Sequence, residues 1–150
     1  MPRRNFFLGR VLRHGGFYPD RKLRLFRRGT AQFSPRAVHE TLACSGKVGH
    51  LRGDLLHHAY PDLASYIEHM DRYSTLGAQV LVERGRTSRS PLAFVWNVAV
   101  APRLQFLYNY GLRLGFLDGR EGLLMHLYHA NYVSWKYAKA WHAANLSHPK

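Results

Sequence analysis

The spacing of apolar residues changes period at Asp62, and that change constrains the fold more than any other feature of the chain. Residues 1–60 are rich in turn formers, with short strands expected at residues 22–26, where charged and apolar side chains alternate, and at residues 47–52. From Asp62 onward the apolar residues recur at helical spacing. Asp62 is placed to cap a helix over residues 63–82, with Leu63, Ile67, Met70, Tyr73 and Leu81 on its apolar face and Glu68, Asp71 and Arg72 off it. A second helix is expected over residues 123–144, with Leu124, Leu127, Tyr128, Trp135 and Ala138 along one face. The pattern predicts an α+β, helix-rich fold in which short strands precede amphipathic helices, divided into residues 1–60 and residues 61–150 of one domain. The polar break GRTSRS at residues 85–90 fits a loop within that domain as well as a boundary.

Residues 14–40 concentrate cations, turn residues and a His-Glu pair. Arg24 falls opposite Leu23 and Leu25 in the alternating segment, and Arg27 and Arg28 follow at its end. Guanidinium forks beside free backbone N–H groups suit bidentate binding of a diphosphate. Ser34 and Pro35 read as N-cap and first residue of a short helix over residues 37–42 that carries His39 and Glu40. Neighbouring helical side chains diverge by about 100°, which argues against a shared ligand. The same residues also fit a solvated basic strand followed by a surface helix.

The apolar run at residues 92–101 is shorter than the roughly 20 residues a spanning helix needs. Phe94, Trp96, Phe106, Tyr108 and Tyr110 stand among Arg103 and Arg113, as in a helix lying in the plane of a lipid headgroup layer. A helix pair buried in a protein core accounts for them equally well. The chain has 22 Lys and Arg against 9 Asp and Glu, a net charge of +13 that favours phosphates, anionic lipids or nucleic acid as partners. Cys44 is the one cysteine, so no intrachain disulfide forms. No uninterrupted apolar stretch precedes Arg10, so no secretory signal is expected.

The run HGGFYPDRKLRLFRRG at residues 14–29, VHE at 38–40, GHLRGDLLHHAY at 49–60 and YGLRLGFLDGREG at 110–122 together resemble the C-terminal half of family 2 glycosyltransferases, the branch of bacterial lipopolysaccharide-core β-1,4-glucosyltransferases above all. The resemblance implies the C-terminal portion of a GT-A fold and inverting transfer from a nucleotide-sugar donor to a lipid-linked saccharide acceptor. It implies Glu40 as general base, His39 beside it, Arg24 and Arg27 on the departing diphosphate, and His57 as a ligand of a divalent cation, Mg or Mn. Trp96, Arg103, Arg113, Asp118, Lys136 and Lys139 would face the acceptor or an anionic membrane surface at the cytoplasmic side of the bacterial inner membrane, to which the protein would bind peripherally. The nucleotide-binding N-terminal domain of such enzymes, with its Asp-x-Asp metal motif, has no counterpart here, so the chain is expected to be inactive alone. No carboxylates are spaced as Asp-x-Asp, and the ten histidines form no HExxH or Cys-His cluster.

Two other classes remain. A noncatalytic membrane-surface or assembly module would use the aromatic and basic C-terminal half alone. A nucleic-acid-binding protein would account for the charge, but no RRM, OB or helix-turn-helix pattern accompanies it.

Overall fold

The computed structural model describes residues 1–33 and 42–146. Strand β1 (Pro2–Phe7) is the centre of a four-stranded sheet. It turns back into β2 (Arg10–Val11) through Leu8 and Gly9, both at positive φ (49° and 81°), the backbone of the tight hairpin turn that matches strand twist. β3 (Asp20–Arg21) pairs antiparallel with the start of the same edge of β1, and β6 (Leu55–Tyr60) runs parallel along the other. A separate two-stranded ribbon joins β4 (Ala31–Phe33) to β5 (Leu42–Cys44), with Phe33 opposite Leu42.

The expected strands at residues 22–26 and 47–52 do not form. Two bonds, from Lys22 N–H to the Met1 carbonyl (3.0 Å) and from the Met1 amino group to the Lys22 carbonyl (3.2 Å), close the β1–β3 ladder, and the following residues cross to the ribbon unpaired. Alternation marks two faces but supplies no edge to bond to. The short helix expected over residues 37–42 falls almost wholly outside the described residues, and its last member, Leu42, belongs to β5.

Helix α1 (Leu63–Glu83) starts as expected: the Asp62 carboxylate accepts from Ser65 N–H (2.8 Å) and Ser65 Oγ (2.9 Å). Its buried face is rotated from the expected one. Tyr66, Ser74, Gly77, Ala78 and Leu81 are buried, whereas Leu63, Ile67, Met70 and Tyr73 are half-buried. The cause is α4 (Gly119–Leu146), which approaches α1 closely over small residues. Ala140 and Ala144 are buried at this contact end, and the Lys136 stem lies over Gly77, where a Cβ would come 2.9 Å from it.

Between them, residues 91–112 follow one helical path. Ser90 accepts from Ala93 N–H, Pro91 occupies the first turn, and α2 (Pro91–Val95) and α3 (Ala101–Phe106) are separated by a π-helical stretch at Trp96–Val100, with another at Leu107–Leu112. Pro102 has no N–H to offer the Val98 carbonyl one turn back, and the Ser134 hydroxyl donates to that carbonyl instead (2.7 Å). No helix among the described residues is long and apolar enough to cross a membrane.

The main core joins the sheet to the helices. Phe7, Leu12, Tyr66 and Met125 are buried together, and Tyr66 meets Phe7 and Tyr60 edge to face at ring separations of 5.1 and 4.8 Å. The coarse α+β expectation is met.

Candidate functional site

The basic segment after β3 and the loop after β5 enclose a cleft of about 420 Å³. Lys22, Arg24 and Arg27 line one side, Lys47 and His50 the other, and no carboxylate lines it among the described residues. The ribbon fixes Arg27: its carbonyl accepts from Thr30 N–H (3.1 Å) and Thr30 Oγ1 (2.8 Å), and the Thr30 carbonyl in turn accepts from Ser45 N–H (3.0 Å). Arg24 and Arg27 are exposed, so their charges reach the cleft without the cost of burial. The structure thus brings together the two arginines that the sequence selects for an anion, and adds Lys47 and His50, which the sequence does not mark.

Asp20 closes the inner end of the sheet. Burial alone would raise its carboxyl, but hydrogen bonds and charges from Lys22 and Arg3 prevail and hold it below the usual carboxylate range. Arg4 pairs similarly with Asp54. These nearby carboxylates are therefore committed to arginine and lysine.

His57 lies on β6 opposite Asn5, with its Nδ1 buried and unpartnered. Burial lowers its pKa, and the neighbouring cations Arg3 and Arg24 lower it further. A divalent cation needs several oxygen or nitrogen donors, and here one free nitrogen stands in a field already positive. Among the described residues no group of three His, Cys, Asp or Glu side chains converges. The described residues do not fit a resident metal at His57. His39 and Glu40 lie outside the described residues.

The residues expected to face an acceptor or a membrane separate into two sets. Trp96 is 54% exposed and stands on a ridge with Leu92 (85%), Leu107 and Leu112 (79%), flanked by exposed Arg103 and Arg113. Arg103 Nη1 donates to the Ala99 carbonyl (2.7 Å), and the Arg113 guanidinium lies over Tyr108 and against Gly16. Lys136, Lys139 and Asp118 turn inward. Lys136 sits over Tyr132 and Tyr137, and Lys139 Nζ donates to the Asp71 carboxylate (2.6 Å) and to Ser74 and Thr75.

Asp118 is 3% exposed. Its carboxylate accepts from Arg13 N–H (3.0 Å) and His14 N–H (2.9 Å) and meets His14 Nδ1 at 2.7 Å, tying the turn after β2 to the start of α4. Next to this clamp the buried His126 ring is wedged between Gly15 and Gly115. The sequence assigns Asp118 to an acceptor- or membrane-facing surface, because nothing in the local pattern links it to His14. The glycines of HGG and of LGFLDG were the available signal, since both motifs hold residues that pack on one histidine.

No protein-family model matches the chain, and no solved structure matches it.

Proposed function

We propose that this chain carries the diphosphate-binding and acceptor-facing part of an inverting glycosyltransferase similar to family 2, acting on a lipid-linked saccharide at the cytoplasmic face of a bacterial inner membrane. The observation that carries this reading is the cleft lined by Arg24, Arg27 and Lys47, with no carboxylate among its described lining residues. The order of short strands followed by helices agrees with the coarse α+β class on which the reading draws. In the reaction, an acceptor hydroxyl attacks the anomeric carbon, the bond from that carbon to the diphosphate oxygen breaks, and the diphosphate leaves with the electron pair. Arg24 and Arg27 stabilise the charge that builds on it. Glu40, with His39 beside it, takes the hydroxyl proton. The divalent cation that family resemblance implies finds no set of donors among the described residues, and no step is assigned to it.

Calorimetric titration with UDP- and GDP-sugars, with and without Mg²⁺ or Mn²⁺, tests the reading. Binding should weaken about 10- to 100-fold in Arg24→Gln and in Arg27→Gln, the equivalent of one charged hydrogen-bonding partner each. A donor that does not bind, or that binds both variants as tightly as the parent chain, defeats it.

A second reading, a noncatalytic membrane-surface module, is favoured by the exposed ridge of Leu92, Trp96, Leu107 and Leu112 beside Arg103. Binding to anionic vesicles that is lost in Trp96→Ser, combined with no affinity for nucleotide sugars, would select it over the first.

A further inference from the structure

A second cavity, of about 530 Å³, lies at the C-terminal end of α1, remote in sequence from the first and sharing no lining residue with it. Its walls differ in kind. Arg86 and Arg89 bring two guanidinium groups, Thr87 and Ser88 bring hydroxyls, and Val82 and Tyr137 bring apolar surface. The helix end is already satisfied: the Leu81 carbonyl accepts from Arg86 N–H (2.8 Å) and the Val82 carbonyl from Gly85 N–H (2.9 Å), so the arginines are not needed to cap it. Among the described residues no carboxylate lines the cavity and neither arginine has an ion-pair partner.

The loop between the helices is held in a costly conformation. Ser88 has φ of +53°, a region that residues with a Cβ seldom adopt, and it is 8% exposed, with Thr87 at 5%. Asn97 Nδ2 donates to Ser88 Oγ (3.0 Å), which fixes the hydroxyl against the wall. The neighbouring Lys136 feels the same field: burial lowers its pKa first, and the Arg86 charge lowers it further. A strained loop, two exposed guanidinium groups without an ion-pair partner among the described residues, and buried hydroxyls around one volume are together suited to an anion.

We propose that this cavity binds a phosphate monoester carrying an apolar substituent, with the phosphate between Arg86 and Arg89 and the substituent against Val82 and Tyr137. Inorganic phosphate fills only the polar wall and binds more weakly. Two sources share this chemistry, a soluble phosphate ester and the headgroup of a lipid phosphate. The chain passes directly from Arg89 and Ser90 to the exposed Leu92, which makes the lipid source geometrically open.

Phenyl phosphate and inorganic phosphate, titrated calorimetrically into the full chain, and flotation with phosphatidylcholine vesicles with or without phosphatidic acid, form the test. A single phenyl phosphate site, tighter than the inorganic phosphate site and weakened about tenfold or more in Arg86→Gln and in Arg89→Gln, supports the soluble ester. Binding to phosphatidic acid vesicles alone, lost in those variants but kept in the equally charge-reducing Arg72→Gln, supports the lipid headgroup. Ser88→Gly accepts the positive φ and removes the hydroxymethyl group, so a weakening there with the fold intact by circular dichroism supports the loop as part of the site. Absence of both kinds of binding, or equal effects of Arg72→Gln and the two cavity arginines, overturns the proposal. All these variants leave the cleft of Arg24 and Arg27 untouched, so nucleotide-sugar binding stands or falls separately.

Discussion

Replacing Asp118 with alanine removes a buried side chain that bonds the turn after β2 to the start of α4. The loss can be worked from its partners. Arg13 N–H and His14 N–H would each lose a charged acceptor at 3.0 and 2.9 Å, in a region only partly open to water. A donor stranded in that way costs about 1–3 kcal/mol. The His14 side chain is 34% exposed, so its Nδ1 recovers water and adds little. The sum is about 3 kcal/mol, a large fraction of the roughly 5–15 kcal/mol by which a domain is stable. For a chain of this size that lowers the melting temperature by roughly 6–12 °C. Urea unfolding followed by circular dichroism gives the free energy directly. Asp118→Asn should fall between, since the amide oxygen still accepts one N–H while its NH₂ opposes another. Glu121→Ala is the control: the Arg10–Glu121 pair, at 3.6 Å and half-exposed, contributes less than about 1 kcal/mol. A shift for Asp118→Ala no larger than that of the control would refute the reasoning, because it would mean the turn and α4 are held by apolar packing alone.

Three other outcomes are expected. Among the described residues the buried Tyr66 hydroxyl has no hydrogen-bond partner, and burial pushes its pKa well up, so Tyr66→Phe should raise the urea midpoint by the equivalent of about 1 kcal/mol rather than lower it. His129 is lowered from 6.5 to about 4, chiefly by burial and then by His126 and Lys136. The unfolded chain therefore takes up a proton that the folded one refuses, and stability should fall as pH drops from about 6.5 toward 4, by up to about 3 kcal/mol, then level off; His129→Gln should flatten that slope in pH-dependent unfolding. Gly15→Ala sets a Cβ into the His126 ring at φ of +64°, whereas Gly9→Ala, at φ of +81°, meets nothing within 4 Å. The first should cost at least about 1–2 kcal/mol more than the second in thermal unfolding.

Local chemistry was legible in the sequence wherever one short segment carried all of it. Asp62 and Ser65 make a cap within four positions, and the polar break after α1 follows from its glycine and serines. The phase of α1 was not legible, because its contact with α4 depends on Gly77 and Ala78, whose value lies in their small size and not in their hydrophobicity. Residues 22–26 alternate as a strand does, yet a strand exists only where another chain segment bonds to it. Arg24 and Arg27 were found because like charges clustered in one run, whereas Lys47 and His50 reach the same cleft through the β4–β5 ribbon. Arg86 and Arg89 looked like an ordinary polar break. Their cavity depends on Tyr137 and Ala144, contributed by a helix that begins only at Gly119.

The buried cluster of Phe7, Leu12, Tyr66 and Met125 also sets a timetable for synthesis. β1 and β2 leave the ribosome before the other elements described, and Met125 and the Asp118 clamp follow more than 100 residues later. At roughly 5–20 residues per second that interval is on the order of ten seconds. During it α1 alone is present to cover the apolar face of the sheet, and the nascent chain carries a strong positive charge. A chaperone or an anionic surface that engages the sheet in this window would act before the helix that completes the core exists, and a premature stop before α4 would leave the cluster of Phe7, Leu12 and Tyr66 without Met125.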